Sequence, residues 1–146
     1  MPNIAIKRRA TAVWNGDVPG GSGNIKTQSG VLDAGYSFGR RFGSDPGTNP
    51  EELIGAAHAG CYAMAISYEL TNAGFPPKSV TTVASVHIIQ DSTGFTIPEI
   101  NLVVDAEIPG IDDAKFQEIA EAAKKGCPVS KALAAVPTIT LKATLH

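Results

Sequence analysis

The sequence predicts an α+β fold, on three observations. Strand-like segments broken by glycine-rich turns fill the first third of the chain; a long apolar stretch with a strong helix start follows; and alternating segments then lead into a helix pair and a last strand. Strands and helices thus come in separate runs within one domain, residues 1–146.

In chain order, Ile4 to Trp14 reads as a strand and Asn15-Gly16 as its turn. Gly20-Gly21-Ser22-Gly23 is a second break, Asn24 to Ser29 a second strand, and a third strand runs from Val31 to Phe38 across Gly35. Thr48-Asn49-Pro50-Glu51-Glu52 starts a helix: Asn49 can cap free amides, Pro50 fits the first helical position, and the two glutamates complement the positive helix end. From Leu53 to Leu70 this helix is apolar almost all round, which predicts a central, buried position. Its small residues Gly55, Ala56, Ala59, Gly60 and Ala63 allow close approach of another helix, and one small core is not expected to cover it, so a dimer is expected. Gly74 ends the helix, with Pro76-Pro77 beyond.

Val80 to Ile89 alternates loosely. In Phe95 to Ile108, residues Ile100, Leu102, Val104, Ala106 and Ile108 alternate cleanly with Asn101, Val103, Asp105 and Glu107. A second helix spans Asp112 to Lys125 with Phe116, Ile119, Ala120 and Ala123 on one stripe, and Gly126 closes it. A short helix from Pro128 to about Ala135 and a strand from Thr138 to Leu145 complete the chain.

Composition narrows the function. Twelve basic and fourteen acidic residues give a net charge of −2, without the basic excess of a nucleic-acid-binding face. No targeting segment or apolar run of about 20 residues is evident, so a reducing cytoplasm is the expected location. There, two cysteines read as reactive thiols or buried apolar side chains rather than a permanent bridge. Two cysteines and three scattered histidines do not make a zinc site, and no glycine-rich loop joins a strand to a helix as nucleotide binding requires. No metal and no cofactor are expected.

Cys127 sits in Gly126-Cys127-Pro128-Val129-Ser130, at the N-cap of the short helix, where unpaired amides and the helix dipole favour thiolate. Cys61 lies inside the apolar helix, where burial raises a thiol pKa unless a cation is near. The residues by themselves therefore rank Cys127 as the more reactive thiol. His58, one turn before Cys61, either bonds a sulfur or fills a polar gap, and Ser130 reads as a helix-surface hydroxyl.

The run Gly47-Thr48-Asn49-Pro50-Glu51-Glu52-Leu53-Ile54-Gly55-Ala56-Ala57-His58-Ala59-Gly60-Cys61, followed later by Gly126-Cys127-Pro128-Val129-Ser130, resembles the OsmC/Ohr family of osmotically inducible and organic hydroperoxide resistance proteins. Trp14-Asn15-Gly16-Asp17, Ser29-Gly30-Val31-Leu32 and Arg41-Phe42 fit the same pattern in order. His58 and the Cys127 segment favour the OsmC branch. The resemblance implies an intertwined homodimer with antiparallel sheets, a long central buried helix and active sites at the subunit interface. It implies a thiol-dependent, antioxidant peroxidase in which Cys61 is peroxidatic and Cys127 resolving, reversing the ranking of the thiols. It also implies that Arg41 supports the thiolate and pairs with Glu51, although Arg40 stands beside it and can reach as well. Glu51 precedes Cys61 by ten helical residues, roughly 15 Å, so it cannot touch that sulfur along its own helix. Arg41 bridges the gap, or the partner subunit contributes its own glutamate.

The expected partners are a second copy of the chain, a small hydroperoxide and an external dithiol reductant, with no nucleic acid and no membrane. Phe42, Tyr62 and Met64 are expected to line an apolar substrate pocket. A redox-responsive protein that carries an apolar ligand is the alternative reading.

Overall fold

The computed structural model describes residues 3–146. It comprises two compact units, one ending at Pro50 and one from Glu51 to His146, which are described separately.

The first unit is an antiparallel meander of β1 (Ala10–Asn15), β2 (Ser22–Thr27) and β3 (Asp33–Tyr36), followed by helix α1 (Phe38–Phe42). Register runs from Ala10 opposite Thr27 and from Gly23 opposite Tyr36. A side chain at Gly23 would collide with Trp14 and Tyr36, so the glycine lets those two rings meet with centroids 5.1 Å apart. The third strand stops at Tyr36 rather than continuing to Phe38. Ser37 leaves the sheet and caps α1, its hydroxyl accepting from the Arg40 amide at 3.2 Å. A five-residue helix is too short to show periodicity, so this turn was not expected.

The second unit holds all of α2 (Pro50–Asn72) but its first residue and continues through β4 (Ser79–Val86), β5 (Ile89–Asp91), β6 (Gly94–Thr96), β7 (Glu99–Glu107), α3 (Asp113–Gly126), α4 (Pro128–Ala132) and β8 (Thr138–Leu145). The expected strand from Phe95 to Ile108 is divided. Gly94–Thr96 forms a small hairpin with β5, and Pro98, which has no N–H to donate, stands before β7. The main sheet has the order β4-β7-β8. β4 and β7 are antiparallel, but β7 and β8 are parallel, so the expectation of purely antiparallel sheets is corrected. The crossover through α3 and α4 carries the chain back to the start of β7 before it forms β8, as a parallel neighbour requires.

The core packs Ile100, Leu102, Val104 and Ala106 of β7 with Phe116, Ile119, Ala120 and Ala123 of α3 and with Tyr62, Ile66 and Leu70 of α2. The side chain of Asp112 caps α3 by accepting from the Lys115 amide at 2.8 Å. Burial of α2 is one-sided within the chain: Gly55, His58, Tyr62, Ile66 and Leu70 form a buried stripe, whereas Met64 is 77% and Tyr68 57% exposed. Sheet and α3 cover one face only, in line with the expectation that one small core does not cover this helix. Gly55 serves that packing, since a Cβ there would lie 3.1 Å from the Ala84 carbonyl oxygen. Among the described residues, no helix is long and apolar enough to cross a membrane.

Candidate active site

Cys61 and Cys127 come together in the second unit. Cys61 lies midway along α2, while Cys127 is both the last cap of α3 and the first cap of α4. Their Sγ atoms are 3.0 Å apart, and both thiols are free. Pro128 at the first position of α4 fixes the bend there, because its ring suits a helix start and its missing N–H costs no intrahelical bond. A disulfide needs sulfur atoms about 2.05 Å apart, so oxidation draws them together by about 1 Å.

The two thiols are not equivalent. Cys127 is fully buried, whereas Cys61 is partly exposed. Burial pushes the Cys61 thiol up, and its hydrogen bond to Cys127 adds to this, because only one of two touching sulfurs ionises readily. Burial also acts against ionisation of Cys127, but hydrogen bonding from Cys61, from the amide and hydroxyl of Ser130 and from the Val129 amide outweighs it, and its pKa is lowered. No full capping bond closes between the Cys127 side chain and α4; the amides at its start nevertheless favour a negative sulfur. Within this unit the geometry ranks the thiols as the residues by themselves do.

His58 does not bond a sulfur. Its Nε2 lies 2.7 Å from the Ser130 Oγ, and both residues are buried. Ser130 is therefore not the surface hydroxyl that was expected. Its position three residues after Cys127 places both on one side of α4 and was the available signal, but its partner stands 72 residues earlier.

The other expected site residues are divided between the units. Glu51 is buried at the start of α2. Arg41 lies in α1, its guanidinium carbon 5.1 Å from the centre of the Phe42 ring. Arg41 and Phe42 line a cleft of about 190 Å³ with Trp14, Val18, Tyr36 and Phe38. Arg40 is committed elsewhere: its Nε donates to the Pro46 carbonyl at 2.9 Å, and its side chain runs over Gly47, where a Cβ would collide with it. Of the three expected lining residues, only Phe42 borders this cleft. Tyr62 is a core residue whose hydroxyl donates to the Ala120 carbonyl at 2.9 Å, and Met64 lies on the uncovered side of α2.

Two free cysteines held in contact on an α+β scaffold define a dithiol protein suited to reversible disulfide chemistry. The comparisons with known proteins make the class specific. The family model for OsmC-like protein matches residues 43–142. The chain is 46% identical over 137 residues to peroxiredoxin OsmC of Escherichia coli (strain K12), covering 93% of this chain and 96% of that one. It is 32% identical over 126 residues to the organic hydroperoxide resistance protein of Xanthomonas axonopodis pv. citri (strain 306), covering 84% and 86%. Among solved structures, the organic hydroperoxide resistance protein OhrB of Bacillus subtilis superimposes with a TM-score of 0.68 at 25% identity, over 94% of this chain and 98% of that one. The chain belongs to the OsmC/Ohr family, and of these relatives it stands nearer the OsmC protein.

Proposed function

We propose that the protein is a cofactor-free, thiol-dependent peroxidase that reduces organic hydroperoxides, with hydrogen peroxide as a second substrate class. The observation that carries this reading is the contact between a partly exposed thiol, Cys61, and a fully buried one, Cys127, at 3.0 Å. A hydroperoxide has access to the first, while the second is held where a disulfide must form. The relatives' names, peroxiredoxin and organic hydroperoxide resistance protein, support the same substrate class.

In the first step the Cys61 thiolate attacks the outer peroxide oxygen. The O–O bond breaks, an S–OH group forms, and the alkoxide takes up a proton to leave as an alcohol. In the second, the Cys127 sulfur attacks the sulfur of that sulfenic acid; the S–S bond forms, and the hydroxide leaves as water with the thiol proton. In the third, an external dithiol exchanges with the disulfide, becoming oxidised itself and restoring two thiols.

Burial opposes ionisation of Cys61, so the first step needs a cation. Arg41 fills this role, held by Glu51, in a homodimer whose subunits each combine both units as one OsmC-like domain spanning residues 1–146. Arg40, whose Nε donates to the Pro46 carbonyl of its own loop, is the alternative cation. A cytoplasmic location fits a cycle that ends in reduction by a dithiol. Steady-state consumption of an alkyl hydroperoxide with dithiothreitol tests the reading: many turnovers per protein are expected. A single turnover followed by arrest, with reductant still present, would instead mark a redox-responsive binding protein.

A further inference from the structure

Two contacts join α2 to the start of α4, and each helix supplies its pair of residues at a spacing of three. Cys61 meets Cys127 at 3.0 Å, and His58 meets Ser130 at 2.7 Å. The polar contact is sealed in the protein, with His58 0% and Ser130 8% exposed, and the cycle above does not use it.

We propose that His58 and Ser130 are positioning residues for disulfide closure: the imidazole Nε2–H donates to the Ser130 hydroxyl, which turns its own hydrogen toward Cys127 and holds that sulfur, as thiolate, against Cys61. The disulfide-forming role rests on the peroxidase reading; the orientation of Cys127 does not.

The direction of the chain follows from the other ring nitrogen. Among the described residues, His58 Nδ1 is buried with no hydrogen-bond partner. Were Ser130 the donor to Nε2, the neutral ring would carry its hydrogen on Nδ1 and leave an orphaned buried N–H, a rare arrangement. With the hydrogen on Nε2, Nδ1 keeps only an unused lone pair. The Ser130 oxygen then accepts from His58, and its hydrogen is available to the sulfur at the start of the same helix.

The electrostatics agree. Burial lowers the His58 pKa, so the ring stays neutral and acts as a donor rather than a base. Burial opposes the Cys127 thiolate, but the Ser130 groups are among those that outweigh it. Of the titratable groups on the packed helices, Cys61 and Tyr62 of α2 interact with Cys127, and Glu121 of α3, which acts on Tyr62, has its carboxylate 2.8 Å from the Lys124 ammonium. With alanine at position 61, neither Tyr62, whose hydroxyl donates to the Ala120 carbonyl, nor the Glu121 carboxylate donates to Cys127 in place of Ser130.

The test isolates the sulfur. In Cys61→Ala protein, which leaves no donor at position 61, Cys127 is the sole thiol, and its ionisation is read from ultraviolet thiolate absorbance against pH. Loss of one hydrogen bond to a charged sulfur is expected to lower the thiolate fraction about tenfold in Ser130→Ala below the titration midpoint. Ser130→Thr should restore it, and His58→Phe should follow Ser130→Ala. In protein with both cysteines, one equivalent of alkyl hydroperoxide and a sulfenic-acid trap should show closure slowed about tenfold relative to sulfenic acid formation in Ser130→Ala. An unchanged titration in Ser130→Ala, or a Ser130→Thr that behaves like alanine, overturns the proposal. The titration uses no peroxide, so parent protein that failed to turn over hydroperoxide would strike the peroxidase reading alone.

Discussion

The Sγ atoms of Cys61 and Cys127 lie 3.0 Å apart although 66 residues separate them in the chain. One sits in the middle of a 23-residue helix and the other at the joint between two helices, so secondary structure holds both ends of the contact. Disulfide formation therefore needs a small local movement rather than unfolding of either helix.

Replacement of the two sulfurs should give different failures. Cys61→Ser is expected to lose hydroperoxide turnover altogether. Cys127→Ser should still react once, because Cys61 can form its sulfenic acid, but should then accumulate sulfinic and sulfonic acid. Intact-mass spectrometry after peroxide treatment distinguishes them by added oxygens. Over-oxidation of Cys127 in the Cys61→Ser protein, with no reaction at all in Cys127→Ser, would reverse the roles.

Arg41→Met should show itself in the pH profile. Cys61 reacts as thiolate, and burial and its contact with Cys127 raise its pKa. Without a compensating cation, less thiolate exists near pH 7, and the rate of the peroxide step should fall by up to about tenfold for each unit of upward shift. The sign is definite: activity recovers as pH rises toward the raised pKa and falls as pH drops. Arg40→Met should keep the wild-type profile, because that side chain serves the Pro46 carbonyl. An identical profile for Arg41→Met and wild type would remove Arg41 from the site.

Much of the scaffold was legible in the sequence because local signals were strong. Asn49-Pro50-Glu51-Glu52 marked the start of α2, and the Ile100 to Ala106 alternation marked the buried face of β7. The strand from Thr138 to Leu145 was placed at both ends, but its parallel pairing was not, since strand direction depends on a crossover rather than on alternation. The contact between Cys61 and Cys127 came only through resemblance to a family. Ser130 was read as a surface hydroxyl because its burial depends on His58, a residue on another helix.

Tyr62→Phe tests whether the tyrosine belongs to the core or to a substrate pocket. Its ring is fully buried, and its hydroxyl donates to the Ala120 carbonyl in α3. Loss of that bond should cost about 1 kcal/mol of stability, read as a lower urea midpoint. KM for an alkyl hydroperoxide should remain unchanged, whereas Trp14→Ala, which opens the aromatic cleft beside Arg41, should raise it. A raised KM in Tyr62→Phe with unaltered stability would return the tyrosine to the pocket.

If the protein forms the proposed homodimer, mixed dimers test which chain's Glu51 serves a given Cys61. Glu51 is buried at the start of α2, and about ten residues of rise, roughly 15 Å, separate it from Cys61 on the same helix. One protomer carries Glu51→Ala with its cysteine intact; the other carries Cys61→Ser with its glutamate intact. If Glu51 serves across the interface, the single remaining Cys61 still meets a glutamate from the opposite chain, and each mixed dimer keeps about half the wild-type rate, one site of two. If Glu51 serves its own chain, that Cys61 lies in the protomer lacking the carboxylate, and the mixed dimer is no better than Glu51→Ala alone. Tandem purification on two tags, followed by initial rates before subunits exchange, separates the outcomes. Either outcome leaves a positive group to carry the effect to the sulfur, because ten residues of helix keep Glu51 from touching the Cys61 of its own chain.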